Sequence, residues 1–184
     1  MTFIERVNQL ESLAFKIISD LKIKKPPIDI KKIVTKLGLD LVDYNLGGEA
    51  SGILVITNNK GTIGCNPADN QQRQRFTIAH ELGHYLLHKS SSELFVDKDF
   101  LVKYRNSTSS NSYTPAELRH ESEANAFAAA LLMPRSFIEE YMKKKEFEKL
   151  DESQLIKKLA KEFDVSDLAM TYRLSNFNTN YLNG

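Results

Sequence analysis

His80, Glu81 and His84 carry the chemistry most visible in this chain. They stand in His-Glu-Leu-Gly-His, inside a segment, 76–88, whose apolar residues recur at helical spacing. Residues four apart on a helix lie one turn apart on the same face, with Cβ atoms about 5–6 Å apart. Two imidazoles so placed reach one Zn2+ ion at roughly 2.0–2.1 Å each. Glu81 is offset around the helix, beside the pair but not of it, where a metallopeptidase keeps its general base. Phe76, Ala79, Leu82, Gly83, Leu86 and Leu87 form the core-facing stripe. That leaves His80, Glu81 and His84 on a less apolar side suited to a cleft. The bland alternative is an ordinary helix with two polar-face histidines. Glu81 at the right offset and the apolar stripe weigh against it.

A catalytic zinc takes three protein ligands and keeps one position open. Position 87 is Leu and position 90 is Ser, so His-Glu-x-x-His-x-x-Gly-x-x-His is excluded. His88 lies two turns beyond His80, cannot join the same ion, and reads as a surface histidine or one standing behind the ligands. A second helix offers the missing donor. Thr114-Pro115-Ala116-Glu117 opens it with a cap, a proline at the first helical position and a glutamate at the third. Glu121 is the favoured ligand. Asn125, four residues on, shares its face and can accept a hydrogen bond from the outer nitrogen of His80 or His84. Glu123, His120, Asp97 and Asp99 remain as rivals for the third position.

The frame around these residues reads as α+β. Apolar spacing predicts a helix over 3–21, broken at Pro26-Pro27, and a short helix over 29–37 closed by Gly38. Strands are expected over 39–45, 51–57 and 62–66, with turns at Gly47-Gly48 and at 58–61. The metal-motif helix starts near Asn66 or Asp69. Residues 89–113, rich in serine, read as a long connection over one face. Helices then follow over 114–133, from 136, over 152–163 and over 166–175. The strand Ser51-Gly52-Ile53-Leu54-Val55-Ile56 is expected to border the cleft and to take a peptide as an added strand.

The 184 residues hold 25 Lys plus Arg against 24 Asp plus Glu, with 41% hydrophobic residues. That is enough for a packed core, and the balanced charge argues against a protein built on nucleic-acid binding or an anionic membrane. No apolar run approaches the roughly 18–20 residues of a membrane span, and the N-terminus lacks a secretory pattern. The one cysteine, Cys65, excludes an internal disulfide and fits a reducing cytoplasm. It reads as a small buried residue.

The stretch R-x-x-F-T-I-A-H-E-L-G-H-Y-L-L-H, followed by E-S-E-A-N-A-F-A-A-A-L-L-M-P, resembles the ImmA/IrrE family of metallopeptidases. The likeness extends from about residue 26 to 175. It implies a zincin-like core: a small antiparallel or mixed three-stranded sheet packed on the His-Glu-x-x-His helix and a Glu-ligand helix. His80, His84 and Glu121 match the ligands of one Zn2+, and Glu81 the catalytic glutamate. The implied activity is cleavage of a helix-turn-helix transcriptional repressor, relieving repression of a mobile-element or stress-response locus. The expected organisation is a metallopeptidase domain over 1–150, including the helix of residues 1–25, with a helical extension over 151–184 packed on it. Tyr104, Tyr113, His120 and Arg173 are candidate oxyanion donors. Two other readings stand beside this one. The chain could hold the repressor without cutting it. Alternatively, the last two helices, with Lys157, Lys158, Lys161 and Arg173, could bind DNA; the balanced charge favours packing instead.

Overall fold

The computed structural model describes residues 2–45, 50–90, 94–98 and 114–181. In chain order these form α1 (Phe3–Asp20), α2 (Ile30–Lys36), β1 (Asp40–Asp43), β2 (Ala50–Thr57), β3 (Lys60–Cys65), α3 (Gln71–His88) and β4 (Leu94–Lys98). They continue with α4 (Pro115–Leu132), α5 (Arg135–Met142), a 3-10 turn (Lys145–Phe147), α6 (Glu152–Phe163) and α7 (Asp167–Tyr181). They fall into two compact units, residues 29–128 and residues 1–28 with 129–184. The Gly47-Gly48 turn lies outside the described residues.

In the first unit, Asn58 and Asn59 take φ of 51° and 64°. Two successive positive φ values make the two-residue turn whose twist suits a hairpin, and asparagine tolerates them better than most side chains. That turn locks β2 against β3 with Leu54 opposite Ile63 and Gly52 opposite Cys65. Leu54, Ile63 and Cys65 are buried on one face, where α3 packs. β1 joins β3 in parallel, and β4 joins β2 antiparallel, giving the order β1-β3-β2-β4. The fold is thus α+β, with a mixed sheet of four strands.

Two expectations change here. Leu94-Phe95-Val96 is a strand inside the stretch read as connection; its three-residue apolar run, between serines and Glu93 on one side and Asp97-Lys98-Asp99 on the other, carries too weak a pattern to stand out. β2 hydrogen-bonds to a neighbour on each side, so it has no free edge for an incoming peptide. Among the described residues the edges are β1 and β4.

α3 is capped by Asn70, whose side chain accepts from the Arg73 N–H; neither Asn66 nor Asp69, the two expected starts, caps it. Thr114 and Glu117 exchange hydrogen bonds at the start of α4, as their spacing predicts. Gly83 lets α3 and α4 approach closely: a β-carbon there would meet Ala124 Cα at 3.2 Å and Phe127 Cδ1 at 3.1 Å. Ala124, Phe127 and Ala128 are fully buried. This tight helix pair sets Glu121 beside the histidines.

In the second unit, Leu10, Ala14, Ile17 and Ile18 form the buried stripe of α1, and Ile138, Leu159, Phe163 and Met170 are also buried. Arg173 is buried with them. It donates to the Met133 carbonyl at 2.9 Å and to both carboxylate oxygens of Glu11. Among the described residues no helix is long and apolar enough to cross a membrane.

Candidate metal centre

α3 presents His80 and His84 one turn apart, and α4 presents Glu121 between them. The two Nε2 atoms are 3.0 Å apart, and each lies 3.3 Å from a different oxygen of Glu121. Donors 2.0–2.1 Å from a tetrahedral ion stand about 3.3 Å from one another. The spacing of these three atoms therefore suits a zinc-sized ion. Both rings are 2% exposed, and His84 stacks on Phe95 of β4 at 4.7 Å between centroids.

The hydrogen bonds behind the rings assign their protons. His80 Nδ1 donates to Asn125 Oδ1 at 2.9 Å. His88 Nε2 donates to Glu123 Oε2 at 3.0 Å, and its Nδ1 lies 3.2 Å from His84 Nδ1. Burial holds the His88 ring down at a pKa of about 4, against the raising effect of Glu123, so the ring is neutral near pH 7. Its bare Nδ1 then accepts from His84 Nδ1–H. With a metal ion in place, both rings would turn unprotonated Nε2 atoms inward, beside the Glu121 carboxylate. Burial pushes the Glu121 carboxyl up, but His80 and His84 outweigh it and hold the group at about 2. Three donor atoms this close repel unless a proton or a metal ion sits between them: the depressed Glu121 carboxyl draws on ring protons in the metal-free chain, and a bound ion would take their place. The donor set, two imidazoles and a carboxylate, fits Zn2+.

Glu81 is fully buried. The side of α3 read as bordering a cleft is covered: His80 and His84 meet α4, and Glu81 meets β2. A β-carbon on Gly52 would stand 3.0 Å from Glu81 Oε1 and 2.3 Å from Thr77 Cγ2. Gly52 keeps the strand bare where Glu81 lies against it. A glycine within a strand pattern signals such an approach, and it was the signal available in the sequence.

Of the rivals to Glu121, Glu123 binds His88 rather than the cluster, and His120 stacks on His88 at 4.1 Å between centroids. Asp99 and the Asp97 side chain lie outside the described residues, as do Tyr104 and Tyr113. Arg173 is committed to Glu11 and Met133 rather than available as an oxyanion donor. His88, open between surface and interior in the sequence, is 4% exposed.

The Peptidase_M78 family model, described as the IrrE N-terminal-like domain, matches residues 34–175. A protein of Bacillus phage phi105 named uncharacterized immunity region protein 2 is 28% identical over 110 residues, 60% of this chain and 61% of that protein. The solved structure of a Mycobacterium tuberculosis transcriptional regulator aligns over 94% of this chain and 49% of its own, with a TM-score of 0.61 and 20% identity. That likeness is one of fold. The chain spans about three fifths of the phage protein and about half of the mycobacterial one.

Proposed function

The chain belongs to the Peptidase_M78 family of IrrE N-terminal-like domains, and on that premise we propose that it is a zinc-dependent endopeptidase whose substrate is a helix-turn-helix transcriptional repressor. The observation that carries the reading is the convergence of His80 Nε2, His84 Nε2 and Glu121 at ligand spacing, with Glu81 next to His80 on the same helix.

His80, His84 and Glu121 would hold the ion, and a zinc bound there would supply Lewis acidity toward the scissile carbonyl and the attacking water. Glu81 takes the proton from the attacking water into its carboxylate as the carbon–oxygen bond forms. It then gives that proton to the nitrogen of the departing amine as the peptide bond breaks. Its burial against Gly52 keeps bulk water from competing for the proton. Asn125 fixes the His80 ring so that Nδ1 carries the hydrogen and Nε2 faces the ion.

A repressor as substrate is supported by the family, whose members act on transcriptional repressors, and by the phage relative, whose name places it in an immunity region. DNA binding through α6 and α7 is less well supported. Two of the four basic side chains behind it are turned to internal work, Arg173 on Glu11 and Lys158 on the Glu146 carbonyl at 3.0 Å.

Glu81→Gln tests the assignment. Incubated with the repressor encoded beside its gene, the wild type should cut and the variant should not, while both keep one equivalent of zinc. Cutting at the wild-type rate by Glu81→Gln would remove Glu81 as the base. Derepression in cells by the uncleaving variant would replace the enzyme with a repressor-holding module.

A further inference from the structure

We infer that His88 and Glu123 form a positioning relay that fixes the proton on His84 and aims its Nε2 at the metal. The inference rests on the reading that His80, His84 and Glu121 hold an ion.

His88 lies one turn beyond His84 on α3, so their rings share a face. Their Nδ1 atoms are 3.2 Å apart, and the far nitrogen of His88 is 3.0 Å from Glu123 Oε2 on α4. A carboxylate only accepts, so His88 Nε2 is the donor in that contact. With an ion on His84 Nε2, the proton between the two Nδ1 atoms belongs to His84, and His88 Nδ1 accepts it. The hydrogen of His84 is thereby placed on its outer nitrogen, and Nε2 is left bare toward Glu121. His120 lies against the His88 ring at 4.1 Å and 22° between planes, which restrains its rotation. The side chains of His88 and Glu123 are 3% and 13% exposed, so little water competes for the chain of bonds.

The two ligand histidines therefore differ. His80 donates to a neutral amide, whereas His84 donates through an imidazole to a carboxylate. The charge on Glu123 polarises the relay and makes His84 the stronger electron donor, as outer carboxylates do for ligating imidazoles. Glu123 thus acts on the ion at two removes.

The test uses the full chain with Zn2+ and Co2+ as probes. Zinc affinity is measured by competition with a chromogenic chelator, the Co2+ absorption bands report ligand geometry, and melting of the metal-free protein reports folding. His88→Ala should bind zinc roughly 10–100-fold more weakly and shift the Co2+ bands. His88→Gln places an amide oxygen where it can accept from His84 Nδ1–H, and should recover most of the affinity. Glu123→Gln keeps an acceptor but no charge, and should fall between them. Wild-type affinity and unshifted bands in both His88→Ala and Glu123→Gln would overturn the relay. Where His88→Ala does not fold, Glu123→Gln decides alone. A wild-type chain that takes up no zinc would instead overturn the metal reading, an outcome seen before any variant is made.

Discussion

His80 Nδ1 donates a 2.9 Å hydrogen bond to Asn125 Oδ1, joining α3 to α4 behind the candidate ion. The bond fixes both the ring plane and the tautomer of a proposed ligand, so its loss should appear in metal affinity rather than in the fold. Asn125→Ala is expected to weaken zinc binding by roughly 10-fold or more, while Asn125→Asp, which keeps an acceptor, holds at least wild-type affinity. Chelator competition reads both. Undiminished affinity in Asn125→Ala would take the residue out of the site.

Glu121 is the one charged donor in the cluster, and its removal should cost more than any change behind the ligands. Glu121→Gln and Glu121→Ala are expected to purify with well under one equivalent of zinc. The carboxyl sits at about 2, below its ordinary 4.5. In the metal-free protein this group therefore contributes stability that is present above about pH 4.5 and is lost as the pH falls through 2. Glu121→Gln should be insensitive to this step, and the difference between their stabilities should shrink from pH 5 to pH 2.

Much of this site is written locally. His80 and His84 needed only the helical repeat, and the start of α4 was legible because Thr114, Pro115 and Glu117 act within one turn of chain. Glu121 was readable as a donor because its helix face also carried Asn125. What stayed hidden depends on partners far along the chain. β4 is a five-residue strand that follows a run of serines and ends in charged residues, and its pairing with β2 is a tertiary fact. His88 could not be placed until Glu123, 35 residues on, closed the other side of its ring. Arg173 looked available for catalysis in sequence because nothing local marks Glu11, 162 residues away, as its partner.

Cys65 should be inert in the folded chain. It is 2% exposed, and burial, with Asp69 adding, pushes its thiol from 9.0 to about 11. Reaction with iodoacetamide at pH 8 is expected only after denaturant is added. The same shift has a sign in stability. Between pH 9 and 11 the unfolded chain gives up this proton while the folded chain keeps it, so the wild type loses stability as pH rises through that window. Denaturant midpoints of wild type and Cys65→Ala should therefore converge, or cross in favour of the variant, from pH 8.5 to 11. A constant gap would contradict the buried neutral thiol.

Gly52 and Glu81 couple the sheet to the proposed base. A methyl group at Gly52 would meet Thr77 Cγ2 at 2.3 Å, a separation that must be relieved, and Glu81 Oε1 at 3.0 Å. The relief comes from moving Thr77 or tilting α3 away from β2, and either displaces Glu81. Gly52→Ala is expected to cost about 1–3 kcal/mol of stability, as overpacking does, and to lower kcat by roughly 100-fold, as a small misplacement of a reacting group does. Zinc content should stay near one equivalent, because Glu121 stands on α4 and the histidine face of α3 is tied to that helix through His80–Asn125 and His88–Glu123. Adding Thr77→Ser removes the clashing Cγ2 and keeps the hydroxyl, so the double variant should regain much of both losses. Full activity in Gly52→Ala alone would mean that the bare strand plays no part in seating Glu81.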